Sequence, residues 1–251
     1  ISSACKVTVN YKSSLQNDLL GLTRDTGLKL KLYVIYNDGD ADRAIELNIS
    51  LQDCACCGAY TASGVWKVFM CHNLGADETK DPFTISKDIH GAMYQFGVKG
   101  TAISQATNFA NTGNISGWKT ISGNGNWVSS EDPCPSGWRL PTKDEWQGVI
   151  DNNTISRTVN GGTTWVSPGT SLTWNDLEED TGIKFGDALV LPAAGRRDDN
   201  DGTLDYRGPN GYYWGSTADG TNGYFLRFTS GVEGTHSYNR SYGFSVRCLS
   251  D

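Results

Sequence analysis

The run Asp132-Pro-Cys-Pro-Ser-Gly-Trp-Arg-Leu-Pro-Thr-Lys-Asp-Glu-Trp146 is unlike any other stretch of this 251-residue chain. It is answered near the far end by Tyr242-Gly-Phe-Ser-Val-Arg-Cys248. Between Cys134 and Cys248 there is no further cysteine, and the interval is rich in Trp, Tyr and Gly. The first run also contains a helix start. Thr142 followed three residues on by Glu145 is a capping box, which satisfies two orphan backbone donors. A helix is predicted after Pro141, with Trp146, Val149 and Ile150 on one face and Asn152-Asn153 ending it.

Working outward, residues 187–192, 211–216, 223–229, 232–238 and 243–249 read as strands separated by Asp/Gly and Ser-Gly turns. In the last of them Phe244, Val246 and Cys248 share one face, which points Cys248 inward. A short helix is expected at 173–180, and 100–130, dense in Asn, Gly, Ser and Thr, reads as a long irregular connection. Residues 65–70 look strand-like. Towards the start, 5–11 alternate with period two, as do 28–36, and 44–51 returns across the Asn37-Asp38-Gly39-Asp40 turn signal. The expected organisation is a β segment over 1–57, the remnant of a β-sandwich or a small β subdomain, and a larger module over 58–251. The boundary falls within Asp53–Gly64, which holds Cys54, Cys56 and Cys57.

Composition narrows the class. A net charge of −7 argues against nucleic acid and anionic membrane surfaces as partners. Thirty Gly with 8 Trp and 11 Tyr favour short strands and turns over helical bundles. No run of apolar residues is long enough to span a bilayer as a helix. No signal peptide is visible at Ile1-Ser2-Ser3-Ala4-Cys5, so the expectation is a mature or trimmed chain, exported and lipid-anchored through an upstream segment.

Four blocks carry a family resemblance: Phe69–Asp77 (FMCHNLGAD), Cys134–Thr142 (CPSGWRLPT), Leu191–Arg196 (LPAAGR), and Gly211–Thr217 (GYYWGST) with the Gly243–Cys248 end. In this order they resemble the Fibrobacter succinogenes major paralogous domain of secreted and surface proteins of gut Bacteroidetes, over roughly residues 65–251. The family is similar in turn to the formylglycine-generating enzymes. The resemblance therefore implies an α+β, C-type-lectin-like fold, and an extracellular or outer-membrane surface location.

It also implies that Cys134 and Cys248 form a disulfide clasp; two buried free thiols are the alternative. Cys54, Cys57, Cys71 and His72 have zinc-like spacing. The resemblance and an oxidising compartment favour disulfides instead. Seven cysteines cannot all pair, and Cys5 is the candidate for the odd thiol or for the partner of a boundary cysteine. Formylglycine-generating enzymes use late cysteines, and none lies within 135–247, so the resemblance implies the fold without that chemistry. Trp174-Asn175-Asp176 is similar to the calcium-binding tripeptide of C-type lectins but lacks its companions.

No phosphate loop, nucleophile elbow or dinucleotide fingerprint is present. The acidic loop holding Asp199, Asp201 and Asp205 offers oxygen ligands suited to calcium, the one cofactor considered, although an Asx-rich turn is the ordinary reading. Tyr206, Tyr212, Tyr213, Trp214 and Tyr238 lie near Arg196, Arg197, Arg207 and Asn210, a mixture suited to sugar rings or a protein groove. The expected ligand contacts are Arg196, Arg207, Asn210, Tyr212 and Trp214, with Arg207 and Tyr212 in a loop that tolerates change without loss of stability. The expected function is non-catalytic binding or adhesion at the cell surface, to a glycan or protein ligand. The alternatives are a tip subunit of a surface fibre, or a glycan-directed enzyme with an unidentified carboxylate pair.

Overall fold

The computed structural model describes residues 28–37, 39–51 and 57–251. The chain divides into two units, residues 1–56 and 57–251. In the first, β1 (Leu28–Asn37) and β2 (Asp42–Leu51) form an antiparallel hairpin registered from Leu28 opposite Leu51 to Asn37 opposite Asp42. Gly39 takes φ +101°, where a side chain would be strained, and its N–H donates to Asn37 Oδ1 at 2.8 Å. The hairpin expected from alternation is thus present. The strand expected at 5–11 lies outside the described residues, as do Cys5, Cys54 and Cys56.

The second unit is mostly strand, with two α-helices among the described residues. In chain order it comprises β3 (Gly58–Ala62), β4 (Val65–Val68), β5 (Met93–Gln95), β6 (Val98–Ile103), α1 (Gln105–Ala110), β7 (Trp138–Arg139), α2 (Lys143–Asn152) and β8 (Ile155–Thr158). There follow β9 (Gly182–Phe185), β10 (Leu189–Pro192), β11 (Arg196–Arg197), β12 (Leu204–Asp205), β13 (Asn210–Asp219), β14 (Asn222–Thr229), β15 (Glu233–Asn239), β16 (Gly243–Ser245) and β17 (Leu249–Ser250). The largest sheet runs β12-β11-β16-β13-β14-β15, with β5 branching from β16 and β6 paired to β5, and β15 is one of its edges. Separate small sheets are β10-β9-β8, β3-β4 and β7-β17.

The α2 helix forms as its capping box dictates. Glu145 N–H donates to Thr142 Oγ1, and Thr142 N–H donates back to Glu145 Oε2 at 2.8 Å. Asn153 closes the helix by donating to Val149 O, and it bonds both backbone groups of Tyr60. Trp146 and Val149 are fully buried. Gly148 allows β3 to pass directly over the helix, because a Cβ there would lie 1.7 Å from Thr61 O.

Alternation along the large sheet divides the interior in two. Tyr213, Leu226 and Phe228 pack with Trp146, Phe69, Ile183 and Leu191 on one side. Tyr212, Trp214 and Phe225 pack with Phe96, Phe244, Val246 and Cys248 on the other. Both faces of β13 and β14 are therefore covered over most of their length.

The two ends of this unit meet. Strand β17 pairs with β7, Phe69 bridges Leu249, and Met70 N–H donates to Cys248 O at 2.8 Å. Two disulfides reinforce the junction: Cys134–Cys248, as the family resemblance implied, and Cys57–Cys71.

Long irregular connections are tied down by buried arginines. Arg247 donates to Asn73 Oδ1, Met70 O and Val190 O. Arg197 donates to Asn108 Oδ1 and to the carbonyls of Asn111, Gly113 and Gly202. Burial pulls both guanidinium groups down to about 10, which leaves them charged at neutral pH.

Two expectations are corrected. Residues 173–180 form a turn, not a helix: Leu177 takes φ 66°, and its N–H donates to Arg207 O at 2.7 Å, so the segment is held by a distant segment of the same chain instead of its own i−4 carbonyls. The connection over 100–130 includes the end of β6 and the α1 helix, capped by Ser104, whose hydroxyl accepts from Thr107 N–H.

The clasp spans 114 residues, and in the chain-entropy model a loop of this size stabilises by about 4–5 kcal/mol. Replacing Cys134 and Cys248 together by Ser is expected to lower the unfolding free energy by several kcal/mol in denaturant titration. A loss below about 1 kcal/mol would refute the role assigned to the clasp.

Candidate functional site

Four of the five residues expected to contact a ligand lie inside the protein. Trp214 is fully buried, and Tyr212, Asn210 and Arg207 are less than 10% exposed. For Asn210, Tyr212 and Trp214 the reason is the two-sided burial of β13, which leaves alternation no solvent-facing side to offer; Arg207 lies just before that strand and is covered by the α1 segment. Trp214 stacks on Phe244 with ring centroids 4.1 Å apart and donates its indole N–H to Tyr94 O. Asn210 donates to the Tyr212 hydroxyl at 2.9 Å. Arg207 donates to Asn108 O and lies 4.5 Å from the centre of the Phe109 ring. These residues hold the scaffold, and the expectation that Arg207 and Tyr212 sit in a tolerant loop is corrected.

The fifth residue, Arg196, is only partly exposed, with 14% of its side chain accessible, and lies just beneath the surface. Its guanidinium carbon lies 4.6 Å from the ring centre of Tyr242, 5.1 Å from Tyr206, 5.6 Å from Tyr212 and 5.8 Å from Tyr238. Four electron-rich faces thus surround one cation. Asp205 supplies a carboxylate oxygen 3.6 Å away. Tyr206 and Tyr238, at 46% and 38% exposure, present the outer rim of this cluster. Tyr238 packs on Phe225 and Tyr242, with centroids 5.0 and 5.5 Å apart, and His236 lies beside Phe225 at 6.0 Å.

Tyr206 is held in a left-handed conformation, φ 56°. For a bulky residue this costs about 1–3 kcal/mol and persists only where the surroundings enforce it. Here its carbonyl accepts from Asn210 N–H at 3.0 Å, while Arg207 O accepts from Leu177 N–H. The result is an exposed tyrosine ring fixed beside Arg196.

Burial raises the hydroxyl groups of Tyr242 and Tyr212 above their ordinary range. Burial pushes Tyr242 up to about 12, and its hydroxyl bonds the Asp199 carboxylate. His236 is lowered by desolvation and by the positive charge of Arg227, so its imidazole is neutral at pH 7. The acidic loop is occupied internally. Asp198 accepts from Asn200 N–H and Asp201 from Thr203 N–H, while Asp205 faces Arg196. Among the described residues no three His, Cys, Asp or Glu side chains converge to hold a metal ion. Cys71, considered with His72 for zinc, is in a disulfide, and His72 bonds Lys80 O.

Arg227, His236 and Tyr242 were missed by sequence reasoning. The alternation His236-Ser237-Tyr238 in a strand following the aromatic β14 was the available signal.

Another buried titratable group is His90. Desolvation lowers it to about 4; its Nε2 pairs with Glu179 O, its Nδ1 has no partner, and its ring lies 5.4 Å from Phe109.

These features define a disulfide-clasped α+β module with an aromatic, arginine-centred surface cluster. Residues 57–250 match the model of the Fibrobacter succinogenes major domain, and the chain belongs to that family. No curated protein and no solved structure matches the chain. Among the described residues no helix is long and apolar enough to cross a membrane.

Two predictions follow from burial. Arg207→Ala removes a buried, hydrogen-bonded charge and should lower stability by about 1–3 kcal/mol, read as a fall in melting temperature. An unchanged melting temperature would place Arg207 outside the core network.

The second concerns acid. An unfolded chain protonates His90 below its ordinary value of 6.5, whereas the folded protein leaves it neutral down to about 4. Within that window the unfolded state holds the extra proton, so stability falls as pH drops from 6.5 to 4 and this loss levels off below. The loss amounts to roughly 3 kcal/mol. Chemical denaturation of wild type and His90→Gln from pH 7 to pH 4 should show a shallower decline in the variant. Parallel curves would contradict the assignment.

Proposed function

We propose that this protein is a non-catalytic binding module of the cell exterior that grips a glycan through the Tyr206–Arg196–Tyr238 surface. The carrying observation is Tyr206, an exposed ring kept in a strained backbone conformation against a cation ringed by four tyrosines. Strain of this kind concentrates where a side chain must be aimed. Exposed aromatic faces stack on the apolar faces of sugar rings, and flanking hydroxyl and guanidinium donors fix orientation.

The disulfides support a place outside the reducing cytoplasm. The mixture of short strands, two helices and adjoining ends is compatible with the C-type-lectin-like reading of the family. In that reading recognition belongs to the loops and rims of the scaffold. Here the rim is built from the 198–206 loop and the edge strand β15.

Tyr238→Ala removes one wall of the cluster without entering the core. On a glycan array followed by titration of the best ligand, this variant should bind about 10- to 100-fold more weakly, a cost of about 1–3 kcal/mol, with a melting temperature close to wild type. Undiminished affinity in a folded variant would move the site elsewhere.

A further inference from the structure

We infer that the ligand of this face carries an anionic group, the carboxylate of an acidic sugar, and that Arg227 receives it; this rests on the glycan-binding reading above. The sheet register sets the geometry. Arg227 on β14 lies opposite Tyr212 on β13 and opposite Gly234 on β15. Side chains directly opposite in antiparallel strands share a face and sit about 4.5–5.5 Å apart at Cβ. The next pair along that face is Phe225 with His236, followed by Gly223 with Tyr238. Arg227 therefore continues the exposed row Tyr238–His236. Its neighbour Gly234 adds no side chain to cover it.

The charge around Arg227 is unbalanced. Arg196 faces Asp205, Arg139 pairs with Glu145, and Arg157 pairs with Glu233. Glu233 lies opposite Phe228 and so belongs to the other face of the sheet. Arg227 enters no ion pair among the described residues; its guanidinium lies beside the Tyr212 hydroxyl, and its half-buried side chain leaves Nε without an acceptor. A partly desolvated cation without a counter-charge gains most from an arriving carboxylate, which supplies both charge and hydrogen-bond acceptors. His236 is the nearest other titratable group on this row. Being neutral, it does not compete for the anion. The net charge of −7 repels polyanions in general, so binding of one requires a local cation of this kind.

The test uses the whole chain and three polymers: polygalacturonate, the same polymer with its carboxyl groups reduced to alcohols, and dextran sulfate. Wild type should bind polygalacturonate at least roughly tenfold more tightly than the reduced polymer. Arg227→Gln should abolish that preference while retaining affinity for the reduced polymer, and Tyr238→Ala should weaken binding to both. The comparison of the two polymers needs no variant and decides the carboxylate preference; if Arg227→Gln fails to fold, Arg227→Lys, which keeps the charge, should keep the preference, and its loss in a folded Arg227→Lys overturns a purely charge-based role. Equal affinity for both polymers, or a folded Arg227→Gln that keeps the preference, overturns the inference and leaves the tyrosine surface as a neutral-sugar site. Dextran sulfate bound in place of polygalacturonate overturns the carboxylate assignment. Failure to bind any polymer, or binding of an acidic peptide alone, overturns both the inference and the glycan reading.

Discussion

Every backbone polar group taken out of water must find a partner, and in this fold buried arginines provide many of them. The second unit has short strands joined by long irregular connections, so ordinary ladders leave carbonyls unpaired. Arg197 alone gathers three loop carbonyls and the side chain of Asn108. Arg247 does the same for Met70, Val190 and Asn73, and Asn73 passes the network on to His90 O and Tyr213. Arg240 ties Gly125, Gly220 and Thr221. A guanidinium suits this task because its five donors lie in one rigid plane and its charge survives burial. Removing one such group strands several carbonyls at once, which makes these positions more sensitive than an equal-sized apolar contact.

The same constraint decides what reaches the surface. Tyr212, Tyr213, Trp214, Phe225 and Phe228 of β13 and β14 stay inside because sheet and loops cover both faces there. At the edge strand β15 and the turn before β13 the covering stops. There the interior aromatic row continues outward through Phe225, Tyr242, Tyr238 and Tyr206. The candidate site is thus the exposed end of the hydrophobic core and not a separate structure built upon it.

This explains what could be read in the sequence. The α2 helix was legible because capping is local: Thr142, Glu145 and Asn153 act within a few residues of one another. The hairpin of β1 and β2 and the strands near the C-terminus were legible from alternation. The helix expected at 173–180 failed because a distant carbonyl, Arg207 O, captured Leu177 N–H. The exposure of Arg207, Asn210, Tyr212 and Trp214 could not be read for a similar reason. Alternation states which side chains share a face, but whether that face is covered depends on residues more than a hundred positions away, such as Phe96 against Trp214. Of the residues singled out, only Arg196 stands beside the exposed tyrosines, while Arg227 gave no sequence signal because its position depends on the register of three strands.

The two disulfides also determine how the module would respond to being stretched. If Cys57 and Asp251 are pulled apart, the bond from Cys57 to Cys71 bypasses the residues between them, and the bond from Cys134 to Cys248 bypasses 135–247. Only the stretch from His72 to Pro133 and the three residues after Cys248 can lengthen. The long stretch carries β5, β6 and α1; β5 would peel from β16, taking its partner β6 with it. The tyrosine and arginine surface, drawn from residues 196–242, lies wholly inside the closed covalent loop. Tension along the chain would therefore unravel the flank of the module while the covalent path around the surface bears none of the extension.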